Sequence, residues 1–344
     1  MYDRLRGWLA EHPVAAFVLL AFGISYLVGW PALMAATGAI PVRDQLLRGY
    51  LPRVLVVYGP ALAALLLARN ATTNGPAMLL RRVPPSRADV PVAAAVVVAS
   101  GVASAIALYV AGTSVSELSR TVRADAGLLV AHFALQLAVV ACGEELGWRG
   151  WLLPQLAART SRLRAAVGTG MIWGVWHGPL LLGGLGSAVM FLLFVIGVSV
   201  LFTWLWVRAG GRLFTVIVAH ASVNAPLFFW EQARGGTQEG DERIRRAWVV
   251  FQAMGIVAAV MLVLVRWRWW NTNDDGLGLS PSAHGETKSG GESARVDLPI
   301  GMQAHSEVAT LASGAEVQVC RASVHRADGQ SRLIGSGFSA ERAP

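Results

Sequence analysis

Charged residues are scarce in this chain. Asp, Glu, Lys and Arg make up 15% of its 344 residues, whereas 54% are hydrophobic and the mean hydropathy is +0.50. Soluble globular domains carry about 25% charged residues. The shortage of charge therefore excludes an ordinary soluble fold and predicts a polytopic membrane protein, whose first partner is the lipid bilayer.

Cysteine and lysine are also rare. Cys142 and Cys320 are the two cysteines and neither belongs to a CxxC pair, so the sequence predicts neither a disulfide framework nor a thiolate zinc site. Lys288 is the sole lysine, so the net charge of +8 depends on arginine. No arginine run is long enough to follow a phosphate backbone, and we expect no nucleic acid partner.

Long apolar runs fill the first 270 residues. A membrane-spanning helix needs about 20 apolar residues. The qualifying segments are Pro13–Ala36, Tyr50–Ala68, Val90–Ala111, Gly127–Gly143, Leu163–Leu182, Ser187–Val207, Leu213–Trp230 and Ala247–Trp267. We therefore expect an all-α fold, a polytopic membrane helix bundle of about eight transmembrane helices.

Arginines cluster in alternate loops of this bundle. Arg4 and Arg6 precede the first helix, and further arginines follow the second, fourth, sixth and eighth, whereas the loops after the third and seventh carry mixed charge. Under the positive-inside rule, a multi-pass protein of the cell membrane with this pattern has both termini in the cytoplasm. The heavy use of arginine favours a bacterial source.

The composition changes at Asn271. From there to Pro344 the chain is rich in Gly, Ser, Ala and charged residues, which is typical of disorder. Apolar alternation over Glu316–Cys320 leaves room for a short strand. We divide the chain into a transmembrane bundle, 1–270, and a largely disordered cytoplasmic tail, 271–344.

Ionisable groups lie at the end of the fourth predicted helix. Glu144, Glu145 and Arg149 follow a long apolar run, and charges at membrane depth mark functional sites by default. Glu145 and Arg149 are four residues apart, so they can pair on one helix face. Glu144 points about 100° away and stays free to act as a general base. A purely structural salt bridge at a helix end explains the same spacing.

Two later helices supply further polar residues. Trp173 and His177 lie four residues apart on the fifth predicted helix, and His220 and Asn224 have the same spacing on the seventh. Each pair projects from one face of its helix. Polar residues on three helices thus point to one shared site.

Two more features surround these residues. His132, on the fourth helix, is interpreted as a packing or hydrogen-bonding residue that can bond Gln136 one turn on. Glycines that recur every four residues let membrane helices pack closely. They are Gly170, Gly174 and Gly178 on the fifth helix, and Gly143 and Gly147 on the fourth.

The three motifs resemble those of a known family. Glu144-Glu145-x-x-x-Arg149, Trp173-x-x-x-His177 and His220-x-x-x-Asn224 look like the signatures of the CPBP intramembrane proteases, which include CAAX prenyl endopeptidases and bacteriocin-processing or Abi proteins. The resemblance covers about residues 125–230. It departs at Trp173, where the family usually has Phe. Because both side chains are apolar rings, we expect little consequence.

The resemblance implies an eight-helix bundle with a conical cavity open to the cytoplasmic side. It also implies an endopeptidase that hydrolyses a peptide bond in a membrane-associated protein or peptide. In the implied roles, Glu144 activates water with the help of His177, His220 and Asn224 stabilise the oxyanion, and Glu145 and Arg149 shape the site. The predicted catalytic residues are therefore Glu144, Glu145, Arg149, His177, His220 and Asn224.

The role of a metal is open at this point. The family carries a metalloprotease label, and Glu144, His177 and His220 could hold a divalent metal such as zinc with one position open. A glutamate and a histidine can also activate water unaided, and the chain has no His-Glu-x-x-His segment. We favour chemistry without a cofactor.

Two other functions fit the same residues. A non-catalytic membrane scaffold or bacteriocin-immunity protein would use the polar cluster as a structural hydrogen-bond network. A proton-coupled transporter would use Glu144, Glu145, His177 and His220 as a proton relay, although the chain shows no internal repeat. The sequence predicts no particular substrate, cleavage site or oligomeric state.

Overall fold

The computed structural model describes residues 2–30, 50, 53–71, 73–178, 181 and 184–271, together with three strands within 303–339. Three predicted segments run beyond these ranges, namely Pro13–Ala36, Tyr50–Ala68 and Leu163–Leu182. Their residues 31–36, 51–52, 179–180 and 182 lie outside the described part of the chain.

Helices dominate the described chain. In order they are α1 (Tyr2–Glu11), α2 (Pro13–Gly23), α3 (Val54–Val57), α4 (Gly59–Ala71), α5 (Gly75–Leu80), α6 (Asp89–Val110), α7 (Val115–Ala124), α8 (Ala126–Leu135), α9 (Cys142–Gly147), α10 (Leu153–Ala157), α11 (Arg162–Trp176), α12 (Leu185–Arg208), α13 (Phe214–Arg234), α14 (Gln238–Val265) and α15 (Trp267–Asn271). Three short π-helical segments extend or join them: Ile24–Gly29 follows α2, Gln136–Ala141 joins α8 to α9, and Trp148–Leu152 joins α9 to α10.

Polar caps mark where several helices begin. Ser161 accepts a hydrogen bond from the backbone N–H of Arg164 at the start of α11, and Thr237 accepts one from Gly240 at the start of α14, at 3.4 and 3.0 Å. Each cap satisfies a backbone donor that has no partner within the first turn. These helices thus begin at polar residues and continue into apolar ones.

Within the described part of the chain, four helices are long and apolar enough to cross a membrane. They are α6, the continuous helix Ala126–Ala157, α12 and α14. We call Ala126–Ala157 the central helix. The shorter stretch Pro13–Gly29 is also apolar. The protein is therefore an all-α membrane helix bundle, as its composition predicts, whereas the count of eight spans and the orientation of both termini stay predictions.

Small residues bring the central helix close to α3 and α4. A Cβ on Gly143 would lie 2.7 Å from the carbonyl oxygen of Val57, and one on Gly147 would lie 2.4 Å from Cβ of Pro60. Such distances leave no room for a side chain, so the backbones touch directly. The close packing predicted from these two glycines is confirmed.

The fifth predicted helix, α11, packs against α12 in the same way. A Cβ on Gly170 would lie 2.7 Å from Cα of Ile196, and one on Gly174 would lie 2.4 Å from Cδ1 of Leu192. The central helix, in turn, packs along α13. The three predicted site helices therefore belong to one packed unit.

Three strands lie in the C-terminal tail. β1 (Gln303–Thr310), β2 (Glu316–His325) and β3 (Ser331–Ser339) form an antiparallel sheet in the order β1-β2-β3. β2 includes Glu316–Cys320, where apolar residues alternate with polar ones. This period of two is typical of a strand, and the sequence allowed a short strand there. The tail that we expected to be largely disordered thus contains a sheet. The domain boundary near residue 270 stays a prediction.

Replacing Gly147 with Ala should destabilise the bundle by about 1–3 kcal/mol, because the added methyl group overlaps Pro60 on α4. Gly127→Ala, on the same central helix, is the matched control, since a Cβ there meets nothing within 4 Å. It should be neutral or stabilising by up to about 1 kcal/mol. Thermal unfolding in detergent measures both variants, and equal midpoints would contradict the close contact.

Candidate active site

The central helix buries three charged side chains in its second half. Glu144 is 2% exposed, and Glu145 and Arg149 are fully buried. Fully buried charges are rare unless they are paired. Glu144 and Glu145 lie on α9, between two π-helical segments, and Arg149 lies within the second of these. Single π turns inside α-helices occur frequently at functional sites.

Glu145 holds two basic groups with one oxygen atom. Its Oε1 accepts a hydrogen bond from Nη1 of Arg149 at 2.9 Å and lies 2.8 Å from Nδ1 of His220 on α13. The predicted Glu145–Arg149 pair is therefore present, and it extends to a second helix. Arg149 also stacks on aromatic rings, with its Cζ 4.5 Å from the ring centroid of Trp173 and 5.1 Å from that of Phe202.

Part of this ion pair keeps unused hydrogen-bonding capacity. Oε2 of Glu145 and Nε and Nη2 of Arg149 are buried and have no partner within the described chain. A buried polar atom without a partner costs about 1–3 kcal/mol. The ion pair of Glu145 and Arg149 therefore stabilises the fold less than a fully hydrogen-bonded pair would.

Glu144 is held on one side, a contact that its position on the helix does not predict. Its Oε2 accepts hydrogen bonds from Nε1 of Trp173 at 2.6 Å and, more weakly, from Nε1 of Trp148 at 3.4 Å. Its Oε1 accepts none from the described residues. The spacing on the central helix could not show this, because the stronger donor comes from α11.

The departure at Trp173 therefore adds a hydrogen bond to the first motif, while its expected effect on function stays a prediction. A Phe ring would fill similar space but has no N–H group to donate. The indole also makes an edge contact with the ring of His220, with centroids 5.4 Å apart. Trp173 thus touches residues from all three motifs.

His177 ends α11 and is half-buried. Its Nδ1 lies 2.9 Å from the carbonyl oxygen of Trp173. Because a carbonyl only accepts, Nδ1 carries the proton and Nε2 of the neutral ring is an acceptor. Trp173 contacts both Glu144, through its indole N–H group, and the ring of His177, with ring centroids 5.9 Å apart. The structure thus brings the histidine of the second motif to the glutamate of the first.

The first apolar helix fixes the turn that carries His177. Tyr26 donates a hydrogen bond to the carbonyl oxygen of Trp176, and Ser25 accepts one from Nε1 of Trp176 at 3.0 Å. Both partners lie on the π-helical segment Ile24–Gly29. Residues outside the three motifs therefore set the position of His177.

Asn224 joins a separate polar network. Its Nδ2 donates to Oε1 of Gln136 at 3.2 Å, and Nε2 of Gln136 donates to the hydroxyl of Tyr50 at 3.1 Å. That hydroxyl lies 3.0 Å from Nδ1 of His132, whose Nε2 lies 2.8 Å from Oε1 of Gln232. Because Gln232 accepts, the donors of this chain all point from Asn224 toward Gln232.

The same network corrects one sequence expectation and reveals two residues that the motifs miss. His132 forms hydrogen bonds, as predicted, but it reaches Gln136 only through Tyr50. Gln136 is a side-chain partner of Asn224. The signal that could have found Gln136 is an amide inside an otherwise apolar membrane helix, whereas nothing local in the sequence points to Tyr50.

The candidates for a metal site do not form a ligand set. Among the described residues, no three His, Cys, Asp or Glu side chains come together in a way that could hold a metal ion. Oε2 of Glu144 is instead occupied by indole donors. The geometry of Glu144, His177 and His220 therefore does not fit a zinc centre.

Replacing Arg149 with Met should destabilise the protein by about 3–5 kcal/mol, because the carboxylate of Glu145 then loses its buried charge partner. The exposed pair of Arg245 and Glu242 is the control, and Arg245→Met should cause no measurable change. Unfolding in detergent micelles reports both. Adding Glu145→Gln to Arg149→Met should restore part of the loss, and an Arg149→Met protein as stable as wild type would contradict the buried pair.

Comparisons with known proteins match the part of the chain that carries the three motifs. The family model for type II CAAX prenyl endopeptidase Rce1-like proteins matches residues 126–226. A CAAX prenyl protease 2 from Methanococcus maripaludis is 26% identical over 99 residues, which is 26% of this chain and 36% of that relative. The chain thus matches little more than a third of the length of this curated relative.

The matched region contains every site residue discussed above from Glu144 on the central helix to Asn224 on α13. It is also the region where the three motifs resemble membrane proteases. This agreement confirms the resemblance to CPBP membrane proteases over residues 126–226.

Proposed function

We propose that this protein is an intramembrane endopeptidase and that Glu144 is its general base. The observation that carries the proposal is the state of this carboxylate. It is 2% exposed, one of its oxygens is fixed by an indole N–H group, and the other has no partner among the described residues. A carboxylate so placed beside a histidine can take a proton from water.

His177 orients the attacking water. Its Nδ1 donates to the backbone of Trp173, so its Nε2 is free to accept a hydrogen bond from the water. The second proton of that water goes to Oε1 of Glu144 as its oxygen attacks the carbonyl carbon. The two residues thus divide the task of binding the water and deprotonating it.

His220 stabilises the oxyanion that forms on the substrate carbonyl. Its Nδ1 is directed at Oε1 of Glu145, so the ring can donate from Nε2 only when both nitrogens carry a proton. The carboxylate of Glu145 holds the ring in place by direct contact. A preorganised donor of this kind acts most strongly where charge develops in the transition state.

Asn224 supplies the second donor to the oxyanion. One N–H of its amide is held by Gln136, which fixes the plane of the group and leaves the second N–H for the substrate. When the tetrahedral intermediate collapses, the C–N bond breaks and Glu144 returns its proton to the leaving amine. This step balances the protons and regenerates the starting carboxylate.

The substrate is a membrane-associated protein or peptide. The site lies on helices of a membrane bundle, and the loop charges favour a position toward the cytoplasmic side. Its partners are accordingly the bilayer and the segment that it cleaves. The mechanism routes no step through a metal, because no three described His, Cys, Asp or Glu side chains are arranged to hold one.

A non-catalytic scaffold or immunity protein on the same fold is the second candidate. It is favoured by one observation, namely that Glu145, Arg149 and His220 are paired with one another as in a structural network. Glu144→Gln separates the two functions. This variant keeps the hydrogen-bond acceptor for Trp173 but lacks a base, so a scaffold would keep its biological effect and a protease would lose it.

Glu144→Ala should lower the cleavage rate by about 10³-fold, because the general base is lost, while the protein still inserts into the membrane. The membrane peptidomes of cells with wild-type and variant protein identify the products and measure the loss. Glu117→Gln, at a half-buried glutamate paired with Arg243 far from the site in sequence, is the control and should cleave normally. Proteolysis retained by Glu144→Ala would refute the assignment.

Chelation should leave the cleavage rate within about twofold, since a glutamate and a histidine suffice to activate water. The purified protein is treated with a strong chelator, its metal content is measured, and cleavage of a substrate found in the peptidome is compared before and after. Loss of activity that zinc restores would show that a metal takes part and would overturn this step of the mechanism.

A further inference from the structure

We propose that Trp173 is the positioning residue of this site. Its indole N–H fixes Oε2 of Glu144, so that Oε1 is the oxygen that takes the proton from water. The inference rests on the proposed role of Glu144 as the base. Trp173 is 4% exposed, and its Nε1 lies 2.6 Å from Oε2.

The hydrogen bond makes the two oxygens of Glu144 unequal. The terminal torsion of a glutamate side chain is broad, so a carboxylate without a fixed partner presents either oxygen to a substrate. A hydrogen bond to a charged acceptor is stronger than one between neutral groups and holds that torsion in place. The bond from Trp148, at 3.4 Å to the same oxygen, acts in the same direction but more weakly.

Trp173 holds the other site residues through different atoms. Its ring lies 4.5 Å from Cζ of Arg149 and makes an edge contact with His220, and its carbonyl oxygen accepts from His177. A Phe at this position would keep the carbonyl contact and place a ring against both neighbours. The N–H bond to Glu144 is therefore the one contact that Trp173→Phe must remove.

The first test is kinetic. Trp173→Phe should lower kcat by about tenfold, the effect of losing one hydrogen bond to a charged group, and leave KM within about twofold. Trp206→Phe is the matched control, since Trp206 is fully buried on α12 and its Nε1 has no partner among the described residues. The kcat and KM of Trp206→Phe should match those of wild type. The kcat of Trp148→Phe should lie between those of Trp173→Phe and Trp206→Phe.

Three kinetic results would overturn the proposal. Trp173→Phe could match wild type, it could slow cleavage no more than Trp206→Phe does, or it could raise KM without lowering kcat. The second result would show that only ring packing matters at buried tryptophans. The third would show that Trp173 binds the substrate instead of positioning the base.

The second test needs no turnover. In a ¹H–¹⁵N spectrum of the detergent-solubilised protein, the indole resonance of Trp173 is the one that Trp173→Phe removes. Glu144→Ala should move this resonance upfield, because its acceptor is gone, and should leave that of Trp206 unchanged. A resonance of Trp173 that stays in place overturns the positioning role. If it moves but the wild-type protein cleaves nothing, the contact stands and the proposed protease function fails.

Discussion

One carboxylate oxygen holds the polar site together. Oε1 of Glu145 meets Arg149 from its own helix and His220 from α13, and all three groups are almost completely buried. An unpaired charge in such surroundings costs several kcal/mol, so none of the three can be placed without the others. The approach of α13 to the central helix and the stacking of Arg149 on Trp173 both depend on these two contacts of Glu145.

The backbone adapts to the site at three places. Gln136–Ala141 ends directly before α9, Trp148–Leu152 carries Arg149, and Ile24–Gly29 supplies the partners of Trp176. A π turn holds an extra residue, so it rotates the side chains that follow relative to a regular helix. The glycines that let the central helix touch α4 lie among these turns, and the site therefore stands where helix geometry departs from the ideal.

Local spacing predicted the parts of the site that lie on one helix. The separation of Glu145 and Arg149 predicted their pair, and the motif order predicted the match to CAAX prenyl endopeptidases over residues 126–226, because both depend on neighbours in sequence. Spacing failed where a partner comes from another helix. Trp173 on α11 donates a hydrogen bond to Glu144, and Tyr50 stands between His132 and Gln136. Such contacts depend on packing, which periodicity does not encode.

The hydrogen-bond chain behind Asn224 has a direction, and direction makes it cooperative. A neutral His132 has one ring proton, so it can donate to Gln232 or to Tyr50 but not to both. If the proton moved to the nitrogen beside Tyr50, the Tyr50 hydroxyl would turn to donate to Gln136, and the Gln136 amide would turn in response. The amide of Asn224 would then present its oxygen atom to Gln136 instead of its N–H group. The tautomer of a histidine outside the three motifs thus determines which end of the Asn224 amide faces Gln136.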